Sequence, residues 1–344
     1  MGYFTRIPVV AYIFVTCLVI VLLFRPRFSE SSDALSTPPS SVTPSPDSIF
    51  DAADPYTPFD FSLAFPVKPI VHVPEDSRVS ETPSLLVLVT TTASEWKMRE
   101  AVRISWANAT SKAVRVEFLM GRPTEQQQRE MILENAKYND LIIADVEEGY
   151  YSLAGKTMAM MLYKDKYYPE TKCLVKSDID NVLLLKNYET LCEKTEPPMI
   201  LGKCDVPRTV FRNGSKWSVP EFVFPEPMYP VYCSTGTYVI VGKSVPQQMI
   251  REGMHGMFAN SYNFRKLPED VIFTGILPEK LGILRRHVPG VSFVSVPEFF
   301  CSDGKKKTYS VHLLTDKDPV KNFNKLMKIE GTTCHSWDAF GMFS

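Results

Sequence analysis

Two aspartates one residue apart are the clearest candidates for chemistry in this sequence. Asp178 and Asp180 close a short apolar run that begins at Lys172 and is typical of a buried strand. If the chain stays extended past that strand, both side chains point the same way beyond its carboxyl end, where open α/β sheets bind ligands. Two carboxylates there could hold Mg²⁺ or Mn²⁺, with water and phosphate oxygens completing the coordination shell. An exposed turn after a strand explains the same spacing, so the pair alone is a weak signal.

The elements around this pair alternate between strand and helix patterns. Strands are predicted at residues 85–89, 114–120 and 141–144, and helices at residues 94–106, 124–137 and 151–167. This alternation predicts an α/β fold with a mixed, mostly parallel central sheet. After residue 181 the pattern becomes irregular, with strands predicted near residues 199–202 and 237–241. Such a layout suits a nucleotide-binding half followed by an acceptor-binding half.

The first 80 residues differ in composition from the rest. Residues 8–24 are an unbroken apolar run with basic flanks and no small-residue cleavage site after it, which favours an uncleaved membrane anchor over a signal peptide. The Ser-, Pro- and Thr-rich stretch that follows cannot bury a core and is predicted to be an extended stem. The chain therefore divides into a tail (residues 1–6), a transmembrane helix (7–24), a stem (25–80) and one folded domain (81–344).

Cysteines and glycosylation triplets indicate an oxidising, lumenal environment for the folded domain. Of the seven cysteines, Cys17 lies in the predicted anchor, and without a C-x-x-C pair no zinc site is indicated. The other six are candidates for disulfide bonds, with free buried thiols as the alternative: Cys173, Cys192, Cys204, Cys233, Cys301 and Cys334. The triplets that begin at Asn108 and Asn213 are N-glycosylation acceptors. A net charge of −1 gives no reason to expect nucleic acid as a partner.

Six motifs, in order, resemble the β-1,3-glycosyltransferases of family 31, the galactosyltransferase-type Golgi enzymes. The matched segments are residues 99–106 (REAVRISW), 118–121 (FLMG), 140–157, 176–180 (KSDID), 229–239 (YPVYCSTGTYV) and 269–275 (EDVIFTG). Because they occur in the family's order, the resemblance is specific. The sequence departs from the family's pattern in three places. Ile179 replaces the middle acid of the metal motif, residues 153–155 replace Asn-Leu-Thr, and Thr235 and Thr237 replace two glycines and could narrow the acceptor pocket.

The resemblance implies a GT-A-like nucleotide-diphospho-sugar transferase fold, preceded by one transmembrane helix. It also implies inverting transfer of a sugar from a UDP-sugar to an acceptor glycan in β-1,3 linkage. Asp178 and Asp180 would then hold Mn²⁺ or Mg²⁺ against the diphosphate, with Asp180 the better candidate for direct coordination. Asp270 would be the general base that takes the proton of the acceptor hydroxyl, with Glu269 as the open alternative. Without the resemblance, first-turn acids of a helix would explain both residues.

Three basic residues are candidates for binding the donor. Arg99 and Arg103 lie four residues apart on one face of a predicted helix, where a guanidinium could meet a phosphate, and an internal ion pair is the equal alternative. Lys156 could face the diphosphate or solvent. Trp106 is expected in the core rather than against uracil, and Cys233 in a disulfide bond rather than as a nucleophile. The five histidines show no metal-ligand spacing and are given no role.

Galactose is the first donor sugar that the resemblance implies, and N-acetylglucosamine and N-acetylgalactosamine stay open. The resemblance also implies a type II protein of the Golgi apparatus membrane, with a cytoplasmic tail and a lumenal domain that acts on glycoproteins or glycolipids. One rival is a catalytically silent, membrane-anchored glycan-binding protein, which the replacements at Ile179, Thr235 and Thr237 favour. Another is a hydrolase with paired carboxylates, which would release no UDP.

Overall fold

A mixed eight-stranded sheet is the centre of the part of the chain that the structure describes. The computed structural model describes residues 67–68, 82–108, 111, 113–204, 208–255 and 266–335. The strands are β1 (Val67–Lys68), β2 (Leu85–Thr90), β3 (Val114–Met120), β4 (Leu141–Ala144), β5 (Cys173–Asp178), β6 (Asn181–Leu183), β7 (Met199–Lys203), β8 (Ser234–Val241), β9 (Leu284–His287), β10 (Val291–Ser292), β11 (Phe300–Ser302), β12 (Lys305–Lys307) and β13 (Ser310–His312). The helices are α1 (Trp96–Ile104), α2 (Glu125–Tyr138), α3 (Leu153–Tyr167), α4 (Leu185–Glu193), α5 (Val245–His255), α6 (Leu277–Lys280) and α7 (Pro319–Ile329), and a π-helical segment (Val271–Ile276) precedes α6.

The strand order of the large sheet is β1-β4-β3-β2-β5-β8-β7-β9. Strands β4, β3, β2 and β5 run parallel, β8 is antiparallel to both β5 and β7, and β9 is parallel to β7. The predicted mixed, mostly parallel sheet is therefore confirmed. The chain places β3 on one side of β2 and β5 on the other, and such a reversal opens a crevice beyond the carboxyl ends of β2 and β5.

Both faces of the sheet are covered by apolar side chains. Along β2, Leu86 and Leu88 belong to the hydrophobic cluster on the α3 face, and Leu85, Val87 and Val89 belong to the cluster on the opposite face. Every residue of β2 is buried, as expected for a parallel strand between two layers. One sheet thus runs through both predicted halves of the domain, because β5 pairs with β8.

Three disulfide bonds join all six cysteines of the predicted domain. Cys173 pairs with Cys192, Cys204 with Cys233, and Cys301 with Cys334. Cys233 is therefore held as a disulfide partner, as predicted. Asn108 and Asn213 are exposed, although residues 109–110 of the first triplet lie outside the described residues, and glycosylation of either asparagine stays a prediction.

The predicted tail, transmembrane helix and stem lie outside the described residues, except for β1. This two-residue strand falls in the predicted stem and pairs with β4 in antiparallel orientation. Among the described residues, no helix has the length and apolar character needed to cross a membrane. The anchor at residues 7–24 stays a prediction.

Candidate active site

The chain turns sharply between Asp178 and Asp180. Strand β5 ends at Asp178, and β6 begins at Asn181. Between them the Ile179 side chain is buried, and its N–H donates to the carbonyl oxygen of Thr90 over 2.9 Å. The extended course assumed for these residues is therefore wrong, because the anchored isoleucine holds the chain in a turn. The two carboxylates consequently have different surroundings.

Asp178 is held in place by neighbouring strands. Its Oδ1 atom lies 2.7 Å from Lys176 Nζ and accepts a hydrogen bond from Thr90 Oγ1 over 3.1 Å. The backbone of Gly236 packs against its Oδ2 atom. Burial raises the pKa of the Asp178 carboxyl, and the charge of Lys176 opposes that shift. Lys176 and Thr90 thus bind Oδ1, whereas Oδ2 accepts no hydrogen bond from the part of the chain that the structure describes.

Asp180 lies beside a histidine that is distant in sequence. Strand β13 pairs with β6 and places His312 opposite Asn181. His312 Nε2 lies 3.3 Å from Asp180 Oδ2, and the Leu313 N–H donates to the Asp180 carbonyl oxygen over 2.7 Å. Burial opposes ionisation of Asp180, but the hydrogen bond and charge of His312 lower the pKa of this carboxyl overall. The same contact raises the pKa of the His312 imidazole, so a cation bound here would displace a proton.

The donor atoms at this turn fit a divalent cation that binds together with its substrate. Asp180 and His312 offer a carboxylate oxygen and an imidazole nitrogen, both of which Mn²⁺ accepts. The buried Asn181 amide has no hydrogen-bond partner among the described residues on either polar atom. Within the described ranges no three His, Cys, Asp or Glu side chains cluster as a metal site. A cation would therefore need water and phosphate oxygens to complete its shell, as Mg²⁺ and Mn²⁺ do at nucleotides.

Gly236 is predicted to be indispensable to the position of Asp178. Its φ of +72° favours glycine, and an added Cβ would overlap the Asp178 carboxylate. We expect Gly236→Ala to displace that carboxylate and to lower the activity of the protein by about 10²-fold. Gly304→Ala is the matched control, because Gly304 has a φ of +70° with nothing near the added Cβ. Thermal melting should show that both variants lose about 1 kcal/mol from backbone strain, whereas an equal loss of activity in both would contradict the clash.

A buried lysine connects Asp178 to Glu269. Lys176 is 1% exposed, and its Nζ atom lies 2.7 Å from Asp178 Oδ1 and 2.9 Å from Glu269 Oε2. The Oε1 atom of Glu269 accepts from Tyr238 Oη over 2.6 Å and from Thr157 Oγ1 over 2.8 Å. Both carboxylate oxygens of this buried residue are thus bound by protein donors. Glu269 thus joins β5, β8 and α3 at this site, and a catalytic role for it stays a prediction.

Asp270 is more exposed than the neighbouring Glu269, which is buried. It is half-buried and caps the π-helical segment, since its Oδ1 accepts from the Val271 N–H over 2.9 Å. Burial, reinforced by the negative charge of Glu269, raises the pKa of the Asp270 carboxyl to about 7. A carboxylate of this kind suits a general base near neutral pH, and π-helical turns are frequent at functional sites. Asp270 is also an acid at the start of a helix, which is the alternative explanation given by the sequence, because the same side chain caps the π-helical segment.

The Glu269 charge is predicted to set the pH dependence of Asp270. Replacing Glu269 with glutamine removes a negative charge beside a carboxyl whose pKa that charge raises. The pKa of Asp270 should fall, so the acid limb of the kcat/KM profile should move to lower pH. Loss of the charged partner of Lys176 should also cost roughly 2 kcal/mol of unfolding free energy.

Glu134→Gln is the matched control for this substitution. Glu134 is a largely buried carboxylate bound by Arg99 and Arg103, and it lies on α2. This control should lose similar stability in a thermal melt and keep the acid limb where the unmodified protein has it. If the acid limb of the kcat/KM profile did not move in Glu269→Gln, the Glu269 charge would not set the pKa of Asp270.

The predicted donor-binding residues are engaged with protein groups. The Arg99 guanidinium binds Glu134 through two hydrogen bonds of 2.8 and 2.7 Å. Arg103 binds Asp140 over 2.8 and 2.9 Å and Glu134 over 2.7 Å, so the ion-pair alternative describes both arginines. Lys156 of α3 is buried. Its Nζ donates to the Thr91 carbonyl oxygen, just after β2, over 3.0 Å and pairs with Glu148. Contact of these three residues with a donor stays a prediction.

Two expectations about other residues are resolved by their burial and contacts. Trp106 is fully buried and belongs to the core, as predicted. Thr237 is also buried, and its hydroxyl lies 3.1 Å from that of Ser177. Thr235 adopts a φ of 89°, which is strained for a β-branched residue. Thr237 therefore lies beside Ser177 of β5, and narrowing of an acceptor pocket by either threonine stays a prediction.

The chain is similar to several known proteins. A family model described as Galactosyltransferase matches residues 97–289. Mouse beta-1,3-galactosyltransferase 5 is 28% identical over 283 residues, which cover 77% of this chain and 85% of the relative. Human beta-1,3-galactosyltransferase 1 is 23% identical over 260 residues, covering 73% and 76%. A solved structure of the galactosyltransferase LgtC with donor and acceptor sugar analogues has a TM-score of 0.40 and 11% identity, covering 74% of this chain and 99% of that one.

Proposed function

The chain belongs to the galactosyltransferase family, and we propose that it moves a hexose, galactose first, from a UDP-sugar to an acceptor glycan in β-1,3 linkage with inversion. The observation that carries the proposal is the buried bridge from Asp178 through Lys176 to Glu269. It ties the aspartate motif, expected at the donor, to the segment that presents Asp270. A transferase needs these two functions side by side, since one group must assist departure of the diphosphate while another takes a proton.

On the donor side, Asp180 and His312 would hold the divalent cation, Mn²⁺ or Mg²⁺, and Asp178 would orient the site. The arrangement of these donors at the crevice beyond β2 and β5 supports this assignment. When bound, the cation would supply positive charge against the negative charge that develops on departing UDP. Lys176 adds a fixed positive charge that keeps Asp178 in place.

On the acceptor side, Asp270 takes the proton of the attacking hydroxyl. That hydroxyl oxygen forms a bond to the anomeric carbon while the bond from this carbon to the β-phosphate oxygen breaks. The bonding electron pair leaves with UDP, and the proton passes to the Asp270 carboxylate. The half-buried position of Asp270 and its pKa near 7 support this role. Glu269 is bound by Lys176, Tyr238 and Thr157 and serves as a positioning residue.

We also propose a type II protein of the Golgi membrane with a lumenal catalytic domain. Three disulfide bonds and two exposed asparagines in glycosylation triplets support an oxidising secretory compartment. The predicted anchor at residues 7–24 supports attachment to the membrane.

The direct test is UDP release by the detergent-solubilised full-length protein with a panel of UDP-sugars and acceptor glycosides, with Mn²⁺ or a chelator. Acceptor-dependent release from UDP-galactose, with a β-1,3 product by NMR, is the expected result. Preference for UDP-N-acetylglucosamine or UDP-N-acetylgalactosamine would change the donor and keep the reaction. No release from any donor by a folded protein that still binds glycans would replace the transferase with a silent binding protein.

A further inference from the structure

Three exposed aromatic side chains lie on the segments that surround Glu269 and Asp270. Tyr150, Trp217 and Phe222 are 44%, 48% and 57% exposed, and we call them the aromatic platform. Lys216 Nζ lies 5.5 Å from the centre of the Tyr150 ring and 4.7 Å from that of Trp217. Tyr150 and Trp217 therefore face the same cation, although 67 residues separate them in sequence (217 − 150).

The platform is continuous with the proposed site. Tyr150 and Lys216 line a small cavity together with Pro268 and Glu269. At the other end of the segment that carries Trp217 and Phe222, Tyr229 is buried, and its hydroxyl has no partner among the described residues. One end of the platform therefore lies beside Pro268 and Glu269, the two residues before Asp270.

The segment that carries Trp217 and Phe222 is held in a defined conformation. Arg212 donates to the carbonyl oxygens of Val219, Phe224 and Glu226 over 2.6, 2.6 and 3.0 Å. The Val219 N–H donates to the carbonyl oxygen of Phe211 over 2.9 Å. One guanidinium thus binds three carbonyl groups of the segment, on both sides of Phe222.

We propose that the aromatic platform is the acceptor subsite, where the apolar face of a pyranose ring stacks on Trp217 and Tyr150; the inference rests on the proposed function. A pyranose has one face of C–H groups and a rim of hydroxyls, which matches large rings beside lysine amines. Exposed aromatic groups next to a reactive centre mark a binding surface.

The test is a kinetic comparison of Trp217→Ala, Trp217→Phe and Trp96→Ala in the full-length protein. Trp96, on α1, is 54% exposed and is the matched control. We expect Trp217→Ala to raise the acceptor KM about tenfold, with kcat, the donor KM and acceptor-independent UDP release unchanged. Trp217→Phe should recover most of the affinity, and Trp96→Ala should behave as the unmodified protein.

The possible outcomes separate this inference from the proposed function. An unmodified protein that releases no UDP overturns the transferase and the acceptor subsite with it. An active protein whose acceptor KM is unchanged in Trp217→Ala overturns the subsite alone. A fall in kcat without a rise in the acceptor KM does the same, because it assigns Trp217 to the catalytic geometry. Thermal melting identifies a variant that has lost its fold. If Trp217→Ala is unfolded, the acceptor KM of Trp217→Phe tests the inference, and a value far above that of the unmodified protein would contradict it.

Discussion

Replacing Asp270 with asparagine is expected to lower kcat for transfer by about 10³-fold. The amide keeps the size of the side chain, and its carbonyl oxygen can still accept from the Val271 N–H. It cannot accept a proton from an acceptor hydroxyl, so the loss should fall on the chemical step and leave the donor KM nearly unchanged. Initial rates of UDP release at saturating donor and acceptor measure the effect.

The pH profile makes the same assignment independently. Because the pKa of Asp270 is raised to about 7, the carboxyl holds its proton below that pH and cannot act as a base. In the unmodified protein kcat/KM should therefore fall about tenfold per pH unit below 7 and reach a plateau above it. The residual activity of Asp270→Asn should lack this limb.

Asp318→Asn is the matched control for Asp270→Asn, because Asp318 also caps a helix, accepting from the Lys321 N–H over 3.0 Å. Asparagine caps as well as aspartate, so this variant should keep both the rate and the limb. If Asp270→Asn retained most of its activity, or if its acid limb persisted, another group would be the base.

The first half of the fold could be predicted because its signals are local. Strands β2 to β5 are short apolar runs, and residues 151–167, before β5, have apolar residues at helical spacing. The predicted bounds of β3 and β4 agree with the structure at every residue. Strands β6 and β9 to β13 were not predicted, since each has only two to four residues and is fixed by its partners rather than by its own pattern.

Sequence motifs predict the candidate site residues that lie within one contiguous segment. They do not predict the residues that reach the site from distant segments through folding. The sequence pattern gives His312 no role, because 132 residues separate it from Asp180. The pairing of β13 with β6 brings the two side chains together. For Arg99 and Arg103, the sequence does not decide between phosphate binding and an internal ion pair. The partner in the ion pair is Glu134 on α2, and residue spacing does not show that it lies beside them. Glu269 and Asp270 could not be told apart for the same reason, since their difference lies in Lys176, Tyr238 and Thr157.

The second large effect is expected at Asp180. If Asp180 and His312 hold the cation, Asp180→Asn should remove the charged ligand and leave a neutral amide beside the imidazole. Electrostatic stabilisation of departing UDP is worth several kcal/mol, so kcat/KM should fall by about 10³-fold. The variant should fold normally, because Asp180 is only half-buried at a turn and its backbone bond to Leu313 does not involve the side chain.

Measuring Mn²⁺ binding distinguishes the loss of a metal ligand from a general defect in folding or activity. Titration of Mn²⁺ into the full-length protein with UDP, followed by electron paramagnetic resonance, should show tight binding in the unmodified protein and much weaker binding in Asp180→Asn. Asp303→Asn, which neutralises an exposed aspartate in the turn between β11 and β12, is the control and should bind Mn²⁺ normally. Transfer that survives both a chelator and Asp180→Asn would mean that Lys176 and its neighbours stabilise the leaving group without a metal. Loss of activity with intact Mn²⁺ binding would instead assign coordination to Asp178 and His312.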